Sequence, residues 1–456
     1  MTQGSVYGAE EERFVAEMVG QMSEVARQVY RWVREQERTL EAIEAEIRPL
    51  LQELGGYVVA GLCQGQAPTY PPDTVACRCG QRAAYQRRRP AQMLTLLGSV
   101  RVERPYYLCA TCHHGYAPLD GVLQMCAGSI SAGLEEVLAL LGTLVPYDQA
   151  VTVLEKLTLL RVSPTIVKAA TDRVGQLVAP QDDAAITAAW DTDNPQAPAL
   201  PAEIPERLYL SMDGTMVHLH EEGWKEMKTG AVYTTTACPS RVRPGTREVR
   251  AKNLSFYVDL ADAERFGQGF WVEAARRGAT MAKDVVIIGD GAHWIWSFAA
   301  EHFPRARQIV DWYHATEYIW NAAHALRGET TATETAWAEA RLTELWNGDV
   351  ETVIARCADR VTEGEDIQKA VTYFTNNQER MRYAEYRDQG LQIGSGSVES
   401  GCKHLIGARL KQAGMIWTRA GAQAVAKARA RLKSGRWDAT VAARPSLQRS
   451  YIRKAA

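Results

Sequence analysis

Long apolar runs are missing from this sequence. No stretch of 18 residues is uninterruptedly apolar, and the best candidate, "GLEEVLALLGTLVP", is short and carries two glutamates. A membrane-spanning helix needs ~20 predominantly apolar residues, so we expect no membrane span and no membrane partner. The opening "MTQGSVYGAEEERF" also lacks the basic and apolar regions of a signal peptide. These absences predict a cytoplasmic protein.

An overall excess of positive charge is also missing. The chain carries 52 Lys and Arg against 54 Asp and Glu, a formal net charge of −2, which taken alone argues against a nucleic-acid-binding protein. The charge is unevenly placed, however. Residues 1–54 carry 6 − 11 = −5, whereas the segment from Glu399 to the C-terminus carries 13 − 2 = +11. A polyanion responds to the local field, so the basic end of the chain is a candidate DNA-binding segment.

A disulfide framework is not indicated either. The nine cysteines are an odd number, and four of them fall in two short motifs, "CRCG" at Cys77–Gly80 and "CATCHHG" at Cys109–Gly115. In a chain of 456 residues this pattern favours a reducing compartment and a metal site. The length predicts roughly two to four domains, and the mixture of helical and alternating patterns predicts an α+β multidomain protein.

The two cysteine motifs predict a zinc-ribbon-like module over residues 61–126. The segment between them alternates like a β-hairpin, which would bring the motifs together. Structural Zn²⁺ needs four protein ligands, which here would be the thiolates of Cys77, Cys79, Cys109 and Cys112. The first motif is CxC where CxxC is usual, so His113 or His114 could replace one thiolate. Four reduced, buried cysteines without metal are the alternative.

Helical patterns occupy the segments on both sides of this module. In residues 1–60, apolar residues recur at helical spacing, which predicts one long helix or a helical pair used for packing or dimerisation. Residues 127–180 are also predicted to be helical, with Ser163 as an N-cap before Pro164. This pattern fits either a helical bundle or a helix-turn-helix, whose second helix would offer Lys168, Thr171 and Arg173 to DNA. The proline-rich residues 181–205 are predicted to be a linker.

Acidic residues then follow apolar runs that read as buried strands. Asp213, Asp290 and Asp311 each come at the end of such a run, and Glu399 follows the Gly/Ser stretch "GSGSV". Carboxylates held at strand ends suit Mg²⁺, which takes a few carboxylates and completes its octahedron with water and phosphate oxygens. The alternative for each Asp is that it is an ordinary turn residue. The alternative for Glu399 is a surface ion pair with Lys403, which would stabilise the helix by ~0.3–0.5 kcal/mol.

Four motifs carry a resemblance to a known family. They are "MDGT" around Asp213, "GDGA" around Asp290, "DWYH" at Asp311–His314, and "GSGSVESGCKHLIGARLKQAGMIW" around Glu399. The chain from about residue 60 to residue 437 resembles the DDE-type insertion-sequence transposases of bacteria, most closely the ISKra type.

The resemblance implies an RNase H-like α/β catalytic core in residues 206–320 and 391–437. An all-α insertion would span residues 321–390, and a basic tail would span residues 438–456. Tyr373, Phe374, Tyr383 and Tyr386 would belong to the insertion either as scaffold or as stacking platforms for unpaired bases.

The resemblance also implies the site residues and the reaction. Asp213, Asp290 and Glu399 would be the catalytic triad and would hold two Mg²⁺ or Mn²⁺ ions, with Asp311 and His314 as auxiliary residues. The reaction would be DNA cleavage and strand transfer at insertion-sequence ends. The alternatives are an RNase H-like DNA nuclease without strand transfer and a catalytically inert, zinc-containing DNA-binding regulator.

The expected partner is double-stranded DNA, both element ends and target, bound by a homo-oligomer in the bacterial nucleoid. Phosphate contacts are expected from bases that follow Glu399: Lys403, Arg409, Lys411, Lys427, Arg429, Arg431 and Lys433.

Overall fold

The chain is an α+β protein with two five-stranded sheets, as the sequence predicts. A computed structural model describes residues 4–125, 129–239, 247–326, 330–443 and 450–452. The chain divides into two compact units, residues 1–171 with 443–456, and residues 172–442. Within the described ranges, no helix is both long enough and apolar enough to cross a membrane.

Two helices precede the first sheet. Of the two predicted arrangements, one long helix or a helical pair, the structure has the helical pair. Helix α1 (Gly4–Glu35) is followed by helix α2 (Leu40–Gly65), whose first turn is capped by the Thr39 hydroxyl accepting from the Ala42 amide at 3.2 Å. The helices pack closely, because a Cβ on Gly61 of α2 would meet the Phe14 ring of α1 at 2.3 Å. The pair therefore extends five residues beyond the predicted end at residue 60.

An antiparallel sheet follows, in the order β1-β2-β3-β4-β10. The long β2–β3 hairpin supplies most of the pairing, and its register shifts between Tyr85 and Arg87. A buried ion pair of 2.7 Å joins Arg104 to Asp120 beneath it. The strands and the short helix after them are β1 (Thr74–Ala76), β2 (Arg82–Thr95), β3 (Gly98–Leu108), β4 (His114–Tyr116), α3 (Pro118–Val122) and, from the C-terminus, β10 (Ser450–Ile452).

The predicted helix-turn-helix segment forms α4 (Ala132–Leu144), α5 (Tyr147–Thr158) and α6 (Pro164–Gln176). Ser163 caps α6 through the Ile166 amide at 3.4 Å, as predicted. Thr171 is not available to DNA, because its side chain is buried and donates to the Val167 carbonyl at 2.8 Å. Lys168 is exposed on the same helix.

The predicted linker over residues 181–205 is wrong in its first part, where the chain forms helix α7 (Val178–Ala189). Pro180 lies in the first turn, where the amide that proline lacks would have no partner within the helix. Asp182 anchors this helix through ion pairs with Lys427 at 2.8 Å and Arg431 at 2.6 Å. The prolines that follow residue 190 keep the remaining segment free of helix and strand.

The second sheet has the order β7-β6-β5-β8-β9. Strands β5, β6 and β7 form an antiparallel meander, and β8 and β9 run parallel to β5. Helices α8 and α9 connect β7 to β8 and β8 to β9. The elements are β5 (Arg207–Leu219), β6 (Gly223–Pro239), β7 (Arg247–Asp259), α8 (Ala263–Arg276), β8 (Asp284–Gly289), α9 (His293–His302), β9 (Arg307–Val310) and α10 (Trp312–His324).

Helices fill the segment between α10 and the Glu399 region. They are α11 (Thr331–Trp346), α12 (Val350–Ala358), α13 (Glu365–Asn377) and α14 (Tyr383–Asp388). Phe374 and Tyr383 are fully buried and Tyr386 is nearly so, so these three aromatic rings pack in the core and are not free to stack on DNA bases.

The C-terminal helices are α15 (Gly396–Gly401), a π-helical segment Cys402–Gly407, α16 (Ala408–Leu410), α17 (Arg419–Lys433) and α18 (Trp437–Ala442). The expectation that the bases of this region line a DNA path is wrong for four residues, because their side chains are buried: Arg409, Lys427, Arg429 and Arg431. Lys403, Lys411 and Lys433 are exposed.

The buried bases of α17 meet acids and carbonyls inside the fold. Lys427 lies between Asp182 at 2.8 Å and Asp259 at 3.1 Å, and its ammonium stands 4.8 Å from the centre of the Tyr257 ring. Arg429 donates to the His404 carbonyl, and burial lowers the pKa of Arg429 to about 10. A buried cation is retained only when it is paired, so Lys427 holds α17 against β7 of the sheet and Arg429 holds it against the π-helical segment.

Replacing Lys427 should therefore destabilise the fold. Lys427→Met keeps the stem but leaves the Asp259 carboxylate buried without its cation, and removing one partner of a buried pair typically costs ~3–5 kcal/mol. Lys433→Met on the exposed face of the same helix is the matched control and should stay within ~0.5 kcal/mol. Urea unfolding of both variants checks this, and equal stabilities would show that the buried pair contributes nothing.

Candidate functional site

Three aspartates lie in or directly after neighbouring parallel strands. Ser211 of β5 is level with Ile288 of β8, and Asp213 and Asp290 each follow two residues later. Gly289 of β8 is level with Val310 of β9, and Asp290 and Asp311 each follow one residue later. Adjacent strands are ~4.8 Å apart, and level residues of parallel strands point to the same face. Continued past the ends of β8 and β9, this register would carry the three carboxylates to the same side of the sheet.

Asp213 lies inside β5, opposite Thr229 of β6. Its Oδ1 accepts from the Gly214 amide at 2.7 Å. Burial raises the pKa of Asp213, the neighbouring charge of Asp290 adds to this increase, and a hydrogen bond from the Cys402 thiol opposes it. The site thus makes a negative charge on Asp213 costly unless a cation is near.

Asp290 lies on the loop between β8 and α9. Its Oδ1 accepts from the Ala292 amide at 2.8 Å, and its carbonyl accepts from the Tyr373 hydroxyl at 2.8 Å. Tyr373 stacks on Tyr318 with ring centres 3.8 Å apart. Gly291 has φ +104°, and a Cβ there would meet the Tyr373 ring at 2.7 Å, so the loop requires glycine at this point. Helix α13 of the helical segment thus supports the Asp290 loop.

Asp311 is the N-cap of α10 and is fully buried. Its Oδ1 accepts from the His314 amide at 2.9 Å, and its Oδ2 accepts from the Ser395 amide. Burial opposes ionisation, but the hydrogen bonds from His314 and Ser395 outweigh it and lower the pKa of Asp311. The carboxylate is therefore ionised and held by two segments of the chain.

His314 pairs with Asp311. The Nδ1 of His314 lies 3.5 Å from Oδ1 of Asp311, and this interaction raises the pKa of His314 to about 9. Asp290 and Glu317 act in the same direction through their charges, against the effect of burial. His314 is therefore a cation at neutral pH and neutralises Asp311.

Glu399 joins this group from helix α15, which contacts β5 and β6. Its Oε1 accepts from the Ser395 hydroxyl at 3.0 Å. The ligand atoms of Asp311, His314 and Glu399 lie within 4.8 Å of one another, a spacing that can hold a metal ion. The alternative of a surface pair with Lys403 is not seen in the described part of the chain, where Glu399 has no ion pair.

The acids of the site fit a divalent cation. Among the residues that the structure describes, no Lys or Arg forms an ion pair with Asp213, Asp290 or Glu399. His314 supplies one positive charge against the carboxylates gathered in this half-buried site, and a bound metal ion would relieve the remaining repulsion. Asp213 and Asp290 lie outside the tight group of Asp311, His314 and Glu399.

Ser395 has a role that the sequence did not predict. It donates its backbone amide to Asp311 and its hydroxyl to Glu399, and so links the strand end to the α15 helix. A signal was present, because Ser395 stands four residues before Glu399 in a Gly/Ser stretch. Serine is too common in such stretches for the pattern alone to assign a role.

A second group of ligands lies in the first unit. Cys77 follows β1 and Cys109 follows β3. The Sγ atoms of Cys77 and Cys112 are 3.5 Å apart, those of Cys79 and Cys109 are 3.7 Å apart, and all four lie within 4.8 Å. Tetrahedral ligands with metal–sulfur bonds of ~2.3 Å stand ~3.8 Å apart, so this group can hold a metal ion.

The knuckle of the second motif favours the thiolate of Cys109, whereas the pKa of Cys112 is raised to about 12 beside the other thiols. The Cys112 amide donates to the Cys109 sulfur, which lowers the pKa of Cys109 to about 6, and the Thr111 amide adds to this effect against the opposing effect of burial. His113 is exposed with φ +54°, and His114 is part of β4. The metal-ligand group contains the four cysteines and neither histidine.

A family model described as an uncharacterised protein family, UPF0236, matches residues 39–443. This chain belongs to the UPF0236 family. The match includes both cysteine motifs, the three aspartates and Glu399, so the two candidate sites lie within the family's common region.

Curated relatives come from Caldanaerobacter subterraneus subsp. tengcongensis. UPF0236 protein TTE2489 is 30% identical over 208 residues, which are 42% of this chain and 42% of the relative. A second UPF0236 protein, whose name joins eleven designations from TTE0033 to TTE2212, is also 30% identical over 208 residues, with the same shares covered. The chain thus spans about two-fifths of the length of the curated relatives it matches.

Proposed function

We propose that this UPF0236 chain is a DDE-type insertion-sequence transposase, which cuts DNA at the ends of a mobile element and joins them to a target. The observation that carries the proposal is that Asp213 lies in β5 and Asp290 directly follows the parallel neighbour β8, with Glu399 brought to the same sheet by α15. The resemblance of the four motifs assigns the catalytic role to these three acids.

The topology of the second sheet supports an RNase H-like core. Three antiparallel strands are followed by two strands parallel to the first, and the helical segment α11–α14 separates the last strand from the Glu399 helix. This is the arrangement that the resemblance leads us to expect for residues 206–320 and 391–437, with an all-α insertion between them.

The charges also support the choice of acids. His314 forms its ion pair with Asp311, whereas Asp213, Asp290 and Glu399 have no ion pair among the described residues. A bound metal ion would offset the charge that these three acids bring to the site. Asp311 and His314 then act as auxiliary residues, with His314 offering a positive charge toward a DNA phosphate.

The chemistry is two in-line displacements at phosphorus. Water attacks first and breaks the bond between phosphorus and the 3′ oxygen of the element end. The freed 3′-OH then attacks a target phosphate, which breaks the bond between that phosphorus and the 3′ oxygen of the target strand. Two Mg²⁺ or Mn²⁺ ions, when bound by the three acids, would activate the attacking oxygen and stabilise the leaving oxygen. Ser395 orients Glu399, the Tyr373 hydroxyl orients the Asp290 loop, and exposed Lys403 and Lys411 are available to DNA phosphates.

The name of one relative gives independent support. Eleven designations from a single organism are joined in it. A gene present in many copies would produce such a name, and mobile elements are a common reason for many copies.

The decisive experiment uses a plasmid that carries the gene of this chain with its natural flanking DNA, because the element ends would lie in those flanks. Purified chain with Mg²⁺ or Mn²⁺ should nick the plasmid at the ends and produce joined products, and a chelator should stop both. Glu399→Gln, Asp213→Asn and Asp290→Asn should each reduce cleavage by ~10²-fold or more, while DNA binding is retained.

The matched control is Glu339→Gln, an exposed glutamate on α11, which should cleave like the wild type. Nicks without joined products would identify an RNase H-like nuclease instead. DNA binding with no metal-dependent cleavage would identify an inert regulator. Near-normal cleavage by Glu399→Gln would overturn the assignment of the third acid.

We also propose that the four cysteines hold one structural Zn²⁺, because four protein ligands leave no position for water. Purified chain should contain about one zinc per molecule, and Cys112→Ser should lower the zinc content and destabilise the first unit. Cys238→Ser, which lies outside the group, is the control. Metal-free protein with a fully folded first unit would contradict this proposal.

A further inference from the structure

Helix α1 has more apolar surface than its partner helix covers. Half-buried Phe14, Met18, Val25 and Val29 lie on one side of α1, and Phe14 of this side meets Gly61 of α2. Beside it runs a second stripe, here called the outer stripe, made of residues that are 50%, 56%, 54% and 68% exposed: Val15, Val19, Met22 and Tyr30. The two stripes together form an apolar arc of the width found in helix bundles, which one neighbouring helix cannot cover.

The charges beside the outer stripe are arranged asymmetrically along the helix. Exposed Glu11 and Glu12 stand in the N-terminal half, and exposed Arg27, Arg31 and Arg34 stand in the C-terminal half. Including Arg13, Glu24, Glu35 and Glu17, which accepts from the Tyr57 hydroxyl of α2, residues 11–20 carry 1 − 3 = −2 and residues 21–35 carry 3 − 2 = +1. One end of the stripe is acidic and the other is basic.

This charge asymmetry favours a second copy of α1 as the partner, in antiparallel orientation. Two copies of α1 side by side in parallel would place acids against acids and arginines against arginines. Two antiparallel copies would place the acidic half of each against the basic half of the other. With Met22 near the centre, Val15 of one copy would face Tyr30 of the other, and Glu11 would face Arg34.

We infer that the outer stripe of α1 is a self-association surface, which pairs antiparallel with α1 of a second copy of this chain. Burial of the stripe supplies the affinity, and the complementary halves set the direction. The inference concerns the partner of the first unit and does not depend on the proposed DNA chemistry, because it predicts association without DNA or catalytic metal.

Light scattering after size exclusion, on the full chain without DNA and over a wide concentration range, tests the inference. The wild type should reach twice the chain mass of 50.5 kDa. Val19→Glu/Met22→Glu should raise the dimer dissociation constant at least ~10-fold, because carboxylates would be buried in the pair. Circular dichroism should give unchanged helix content, since both side chains are exposed in the single chain.

Charge reversal tests the direction. Glu11→Lys/Glu12→Lys and Arg31→Glu/Arg34→Glu should each weaken association alone, and an equimolar mixture of the two variants should restore the dimer. Glu44→Lys/Glu53→Lys, at exposed positions of α2, is the control and should associate like the wild type. In a parallel pair, Glu11→Lys/Glu12→Lys would keep like charges together and leave association unchanged.

Three outcomes would overturn the inference. They are a wild type that is monomeric at every concentration, an assembly that Val19→Glu/Met22→Glu leaves intact, and an assembly that Glu11→Lys/Glu12→Lys leaves intact.

Discussion

Parallel hydrogen bonding between β5, β8 and β9 is the constraint on which the candidate site depends. The register of these strands, continued past the ends of β8 and β9, makes Asp213, Asp290 and Asp311 level with one another. A slip of one residue in either pairing would send a carboxylate to the other face of the sheet, because side chains alternate along a strand. The Asp311 side chain then fixes the Glu399 segment through Ser395. The strand register thus places the aspartates, and this one cap brings Glu399 to Asp311.

Several bases of the C-terminal region have a structural role that their charge did not predict. The charge of this region suggested a path for DNA, but Lys427, Arg429 and Arg431 of α17 are buried and satisfied by internal partners. Lys427 holds the helix to β7, Arg429 holds it to the segment that begins at Glu399, and Arg431 holds it to α7. Of the bases expected to contact DNA, Lys403, Lys411 and Lys433 have exposed side chains.

The elements that the sequence predicts well depend on short-range patterns. Apolar runs that end in Asp predict the strand-end positions of Asp290 and Asp311, although Asp213 lies inside β5, and two cysteine pairs around an alternating segment predict four converging sulfurs. The burial of Lys427 could not be predicted, because its partners Asp182 and Asp259 stand 245 and 168 residues away in the chain. Helix α7 was missed for the same reason, since its proline-rich neighbourhood indicates a linker until the Asp182 ion pairs are known.

Iron-directed cleavage of the polypeptide tests most directly whether these acids form one divalent-cation site. Zinc-saturated chain would be given Fe²⁺ with ascorbate and peroxide, so that radicals formed at bound iron cut the nearest backbone. The account predicts fragments that end near residues 213, 290, 311 and 399, suppressed by excess Mg²⁺ and lost in Asp213→Asn/Glu399→Gln. Cleavage elsewhere in the chain, or cleavage that Mg²⁺ and these substitutions leave unchanged, would contradict it.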